Sequence, residues 1–500
     1  MRYVTVFGAG IAGAALLLGA SRLAAIAAAP SDASAAGPPH LAVPMVRRHR
    51  SRGMLAPTGC TTSGGKTSFA AIAGLSDVAG APGAAVLGGA QNQACDEQSA
   101  IGGGGLNGIG AGGSAIDSFV AAGQGNGITG AYSFVGAGVY NSADTDYSFV
   151  GAGLYDDAAG AASFVGAGDG VFYAAQGSAS VLDGNIAAGE DSFVGAGDLN
   201  QVSGAGSFIG AGGSTYAAGS HTTAGNQISG VDSFIGAGNQ NAIAALQGFV
   251  GGGAANTIAA TATNAFIGGG QGNQITGNYG VVAGGYESKA AGAAAPVGGG
   301  DGNLASASLA TVPGGYHNLA SGVASFAAGY LAQAVNNGSF VWSDESSTTI
   351  HVRTTGPNQF VARAAGGFGL FTDASLSSGV ELAPGSGTWS NVSDRALKVG
   401  IVPLDDARVL DKVLELPVSE WSYTTERGVR HVGPMAQDFY AAFRIGEDDR
   451  HITSIDEDGV ALASIKALAR QNRDLKVQLR SVRDQLAELS AKVAELERRR

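Results

Sequence analysis

The sequence predicts a mainly β protein. A Gly-rich β-roll or β-solenoid repeat comes first, then an α+β module, then a C-terminal coiled coil. Three observations carry this. A Ser-Phe-Val or Ser-Phe-Ile triplet recurs between residues 118 and 235. Glycine is very frequent, at 83 of 500 residues, while hydrophobic residues still reach 45%, so the chain is neither an ordinary enzyme nor disordered by composition. The charges crowd to the end: residues 393–500 carry 18 Lys/Arg and 19 Asp/Glu.

The chain opens with Met1-Arg2-Tyr3 and a largely apolar run from Val4 to Ala20. Small residues around Ala25–Ala29 precede Pro30, so residues 1–29 read as a signal peptide, with an uncleaved membrane anchor as the alternative. Gly8-Ala9-Gly10-Ile11-Ala12-Gly13 also matches a dinucleotide fingerprint, with Asp32 near the expected acidic position. No second strand surrounds Asp32, so the signal reading stands ahead. Residues 30–100 form a linker and a Gly/Ala-rich segment. Within it, Arg47-Arg48-His49-Arg50 is a basic patch on a flexible tether, and Gly64-Gly65-Lys66-Thr67 lacks the first glycine of a phosphate loop, where Cys60 stands. Cys60 and Cys95 are the two cysteines. A disulfide and two free thiols are both open, and no metal spacing exists. No metal and no cofactor is expected.

Residues 101–338 form the repeat. Phe119, Phe134, Phe149 and Phe164 stand 15 apart, the step from Phe164 to Phe193 is close to two units, and the pattern decays through Phe249 and Phe266. A unit this short fits two short strands and two turns, with Gly and Asn (Asn126, Asn141, Asn200, Asn241) taking positive φ at the corners. Stacked units place Phe over Phe in an internal ladder, and stability comes from the stacking. Small faces let chains pack closely, so an oligomer is expected. Lys289 is the only basic residue between positions 101 and 343, which excludes nucleic acid as a partner. Asp156-Asp157 and Glu190-Asp191 are paired carboxylates of the kind a β-helix glycosidase needs, but adjacent turn residues usually face water.

Residues 339–392 read as a β-rich neck. Beyond them, 404–416 and 434–443 read as helices, and 417–423 and 431–432 as strands. From Ile465 the seam runs 465, 468, 472, 475, 479, 482, 486, 489, 493 and 496, with Asn472 its one polar member, so residues 465–497 form a coiled coil. At the join, Ser393 lies five residues before Lys398. A serine nucleophile needs a proton acceptor, and a lysine serves only when its pKa is lowered. Five residues do not share a helical face; a turn entering a helix brings the two together.

Ser393-Asp394-Arg395-Ala396-Leu397-Lys398, Trp421-Ser422-Tyr423, the run from Arg430 through Gly433-Pro434-Met435-Ala436-Gln437 to Tyr440, and Asp456-Glu457-Asp458-Gly459 resemble the endosialidase-type intramolecular chaperone, a self-cleaving serine peptidase family of phage tail fibres and bacterial surface proteins. The resemblance spans residues 393–472. It implies a homotrimer whose chaperone guides folding upstream and then cleaves Val392–Ser393 in cis. Ser393 is then the nucleophile and Lys398 the general base, with Asp394, His431 and Gln437 in support. Residues 393–464 are the chaperone/peptidase domain. The repeat over 101–329 resembles the heads of trimeric autotransporter adhesins, although this chain ends in charged helix rather than a membrane barrel. Together these imply an exported, surface or extracellular fibre with a possible host-surface or glycan ligand. The alternatives are a phage-derived tail fibre and the β-helix enzyme.

Overall fold

The computed structural model describes Cys60 and residues 74–110, 114–168, 172–175, 178–181, 184–213, 216–217, 220–221 and 225–499. The signal-like segment, the dinucleotide-like motif, the basic patch and the phosphate-loop-like glycines lie outside these. The chain divides into two units, Met1–Gly314 and Gly315–Arg500.

The first unit is a parallel β-solenoid. Each rung contributes two two-residue strands, one to each of two sheets. The first sheet holds 13 strands among the described residues, from Ala85–Val86 through Phe149–Val150 to Pro296–Val297. Registers are exact from rung to rung: Phe149 pairs with Phe134 and with Phe164. The second sheet carries strands such as Gly127–Ile128, Ser142–Ala143 and Ala242–Ile243.

Successive strand residues point to opposite faces. In Ser-Phe-Val the serine and valine therefore share a side, and the phenylalanine takes the other. Ser148 is 1% exposed and Val150 0%. The inner row is thus Val120, Val135, Val150, Val165, Val194 and Ile209, each fully buried. Burying each such side chain contributes roughly 1.5–3 kcal/mol. The expected phenylalanine ladder exists, with ring centroids 4.6–5.9 Å apart, but it is not internal. The rings run along the outer face, half-exposed, because the period-2 alternation gives the inside to the smaller β-branched residue.

The second sheet repeats the same logic with asparagine in place of serine. Asn126 is buried, and its amide donates to Asn107 Oδ1, Ala122 O and Gly138 O at 3.0–3.1 Å. Its own oxygen accepts the Asn141 backbone N–H at 3.1 Å. The asparagines are therefore an inward hydrogen-bonded ladder, not the positive-φ corners the sequence suggested. The corner falls one residue earlier, at Tyr140 (φ 59°) before Asn141 and Gln240 (φ 56°) before Asn241. Left-handed backbone costs roughly 1–2 kcal/mol for a residue with a Cβ, and the ladder behind it satisfies buried amides worth comparable amounts each. Glycine does take a corner where chains of backbone pass closely. At Gly138 (φ 105°) a Cβ would stand 2.2 Å from Gly153 O.

The 29-residue step from Phe164 to Phe193 is one rung, not two. Phe164 registers directly with Phe193, ring centroids 4.7 Å apart, and the extra length is an antiparallel hairpin, Phe172–Ala175 with Ser178–Val181. A second hairpin, Tyr216–Ala217 with Ser220–His221, lengthens the step from Phe208 to Phe234. Cys60 and Cys95 form a disulfide, with Cα atoms 5.5 Å apart.

The second unit begins with the same stacking. Phe326, Phe340 and Phe360 pair in parallel register with rings 4.6 and 4.7 Å apart. Asp344 binds Arg363 Nε at 2.8 Å, and the Ser346 hydroxyl and the Ala365 N–H also donate to it. An antiparallel sheet of Phe368–Phe371, Gly379–Leu382 and Ser390–Asn391 follows. Helix α1 (Asp406–Glu415), a hairpin of Ser419–Trp421 and His431–Gly433, helix α2 (Ala436–Phe443) and helix α3 (Ser454–Arg498) complete the unit. Asp405 caps α1 and Thr453 caps α3. The start of α3 buries Val460, Ala463 and Ala467, and α1 buries Leu410. The buried Asp406 carboxylate binds Lys466 at 3.1 Å and Arg470 at 3.0 Å, joining α1 to α3. No helix among the described residues is long and apolar enough to cross a membrane.

Asn241→Ala should open the rungs on both sides, because it strands donors and acceptors worth about 1–3 kcal/mol each. Hydrogen exchange over residues 226–256 should speed at least tenfold, while distant rungs stay protected. The Asp344 carboxyl is held well below the usual range, first by the Ser346 hydroxyl and then by the Ala365 N–H. Such a group stabilises the fold above the ordinary carboxylate range and loses that contribution as pH falls through its folded value. Asp344→Asn should therefore lower the melting temperature at pH 7, and the gap to the parent should shrink by pH ~3.

Candidate functional site

The candidate site follows the last strand of the antiparallel sheet. Ser390–Asn391 pairs with Gly379–Leu382, and the Val392 N–H donates to Gly379 O at 3.2 Å. Val392 is thus held on the sheet while Ser393 steps off it. Arg395–Leu397 forms a single 3-10 turn, which the Asp394 carboxylate caps by accepting the Ala396 N–H at 2.8 Å. The turn carries the chain round so that Lys398 Nζ donates to Ser393 Oγ at 2.6 Å. Ser393, Asp394 and Lys398 are all exposed in the single chain, and Val392 is half-buried.

The structure thus brings together Ser393, Asp394 and Lys398. It places His431 elsewhere: its ring packs against both Trp421 and Tyr423, at centroid distances of 4.8 and 5.5 Å, and Nε2 stands 3.6 Å from Glu426. Gln437 is the second residue of α2. Among the described residues, neither is hydrogen-bonded to Ser393 or Lys398.

The carboxylate pairs do not face a common cleft. Asp156 occupies an asparagine position of the inner ladder, accepting the Asn185 N–H at 2.8 Å, and Asp157 is buried beside it. Glu190 and Asp191 are exposed at a corner. Two features escaped the sequence. One is the Val392–Gly379 bond that anchors the residue before Ser393. The other is the Asp406 clamp, whose partners lie 60 and 64 residues away and leave no local signal.

A repeat solenoid followed by a small α+β module with a long exposed helix is the class of protein these features define. Residues 393–444 match the family model described as chaperone of endosialidase, and the match begins at Ser393. The match covers the first part, 393–444, of the 393–472 segment that resembles this family. No curated protein matches the chain.

Losing the Asp394 cap costs about 1 kcal/mol. In Asp394→Ala the Ala396 amide should exchange about fivefold faster, read by NMR or mass-resolved hydrogen exchange.

Proposed function

We propose that the chain is a fibre or adhesin-like surface protein, and that its C-terminal module assembles three copies, assists folding of the β-solenoid and then cuts Val392–Ser393 in cis. The observation that carries the reading is the 2.6 Å contact between Lys398 Nζ and Ser393 Oγ at the first residue of the matched segment. A neutral Lys398 accepts the Ser393 hydroxyl proton as Oγ attacks the Val392 carbonyl carbon. The Val392–Ser393 C–N bond breaks, and Lys398 returns the proton to the leaving amine. Water then hydrolyses the Val392 ester, leaving a Val392 carboxylate and a free Ser393 amine. Asp394 positions the turn. His431 and Gln437 act through packing of the module.

Ammonium cannot accept a proton, and an exposed lysine keeps its charge. Ser393 and Lys398 are exposed in the single chain, so the burial that frees the base comes with assembly. Folding and association then precede cutting. The heptad spacing along α3 supports a coiled coil, since Leu475, Leu479, Leu486 and Leu489 stand 52–61% exposed. Export to the cell surface or medium is supported by the Cys60–Cys95 disulfide, a bond kept in oxidising compartments. A host-surface or glycan partner would be met at the exposed corners, where Tyr132 and Tyr147 stand.

Intact-mass analysis should give two fragments, the second beginning at Ser393. Ser393→Ala and Lys398→Met should each leave one uncut chain that still sediments as a trimer. A Ser393→Ala chain still cut at this bond would overturn the mechanism. The same spectrum reads the N-terminus: loss of residues 1–29 supports export, and an intact start supports a tail fibre assembled in the cytoplasm.

A further inference from the structure

The two sheets of the solenoid share one pleat and differ in what they show outward. The second sheet presents a mixed row, in which Gln93, Ser142, Gln201 and Lys289 are interspersed with Gly127, Ile186 and Leu304. The first presents phenylalanine from Phe119 to Phe266, then Val281 and Pro296, with no charge in the row. A sheet face washed by water breaks its apolar residues with polar ones, as the second does, whereas the unbroken apolar row of the first is built to be covered.

The rings are laid down for that purpose. A Cβ at Gly136, Gly166 or Gly195 would come within 3.2–3.3 Å of the Phe ring two residues earlier, so each ring lies over a bare glycine. From Phe134 to Phe266 consecutive rings stack at centroid spacings of 4.6–5.1 Å, giving a smooth ribbon. The 11 strands from Phe119–Val120 to Pro296–Val297, at about 4.8 Å a step, make it about 48 Å long.

We propose that this phenylalanine ribbon is the face along which copies of the chain pack against one another. The proposal rests on the self-assembly reading above and adds the surface that the shaft uses. A second copy is the occupant because its ribbon repeats at the same rise and meets the first rung for rung. At a width of about 12 Å the ribbon covers about 580 Å² per chain, so two chains bury about 1,200 Å² in total, the lower edge of a specific interface. The row offers no side-chain donor or acceptor to orient a hydroxyl-rich ligand.

Cysteine cross-linking of the full chain tests this. Phe193→Cys and Phe149→Cys lie on the ribbon; Gln227→Cys and Thr257→Cys lie on the second sheet. All four point outward, so the inner rows are untouched. With a short bis-maleimide, the ribbon variants should run as covalent multimers and the second-sheet variants as single chains, while sedimentation gives a trimer for all. A trimer that cross-links only through Gln227 or Thr257 leaves self-assembly standing and overturns the ribbon. A monomer throughout overturns the self-assembly reading and the ribbon with it.

Discussion

One geometric condition governs the shaft: every residue meets its own counterpart one rung away. Backbone pairing sets that step at about 4.8 Å. Once it is imposed, each position in the repeat becomes a row, and each row must tolerate contact with itself. Valine and isoleucine do so inside, as do amides that both donate and accept. Asn241 shows the economy of this, donating to Asn226 Oδ1 at 3.0 Å while its own Oδ1 takes both the backbone and side-chain N–H of Asn256. A charged row would fail the same test, since like charges would stack at the rung spacing. This explains why Lys289 is almost the only cation along the shaft.

The period of the solenoid was legible because the triplet is conspicuous, but its handedness of burial was not. Phenylalanine and valine are both apolar, and apolarity alone assigns neither to the inside. The serine before the phenylalanine resolves the matter physically: it is small, it shares a face with the valine, and its hydroxyl accepts the next rung's N–H, as Ser118 Oγ does for Ser133 at 3.0 Å. Asparagine misled for a similar reason. Its tolerance of positive φ suggested corners, whereas the ladder requires its amide inside, and the corner passes to whichever residue precedes it. The inserted hairpins were invisible because 29 is nearly twice 15, and only pairing distinguishes a long rung from two short ones.

At the site, residue identity was legible and geometry was not. Ser393 and Lys398 are singled out by the family-like residues around them, since a serine and a lysine five apart carry little signal alone. What closes the distance between them is a capped 3-10 turn, and that depends on Asp394 accepting one particular N–H. The helices at α1 and α2 and the C-terminal end of α3 were legible to within a few residues because periodicity is local, but α3 starts at Ser454, 11 residues before the apolar seam at Ile465. The Asp406 contact with Lys466 and Arg470 is not local, and no pattern in the sequence points to it.

The single chain leaves two long apolar surfaces uncovered, the phenylalanine ribbon and the α3 seam, and they form on different schedules. The seam is a local structure, and helix closes quickly. The ribbon exists only after many rungs have paired across 15 residues or more, which is slower and passes through states with open strand edges. A helix that gathers the copies first raises their local concentration while the shafts are still forming. A chain built to fold this way gains from placing its charges and its helix at the end that associates early, and from a cut that waits for burial at Lys398. In the proposed function, severing Val392–Ser393 would remove the seam from the finished shaft and make the assembly irreversible. On that reading what remains would have to hold through its own ribbon, and the apolar face of the shaft would serve that need.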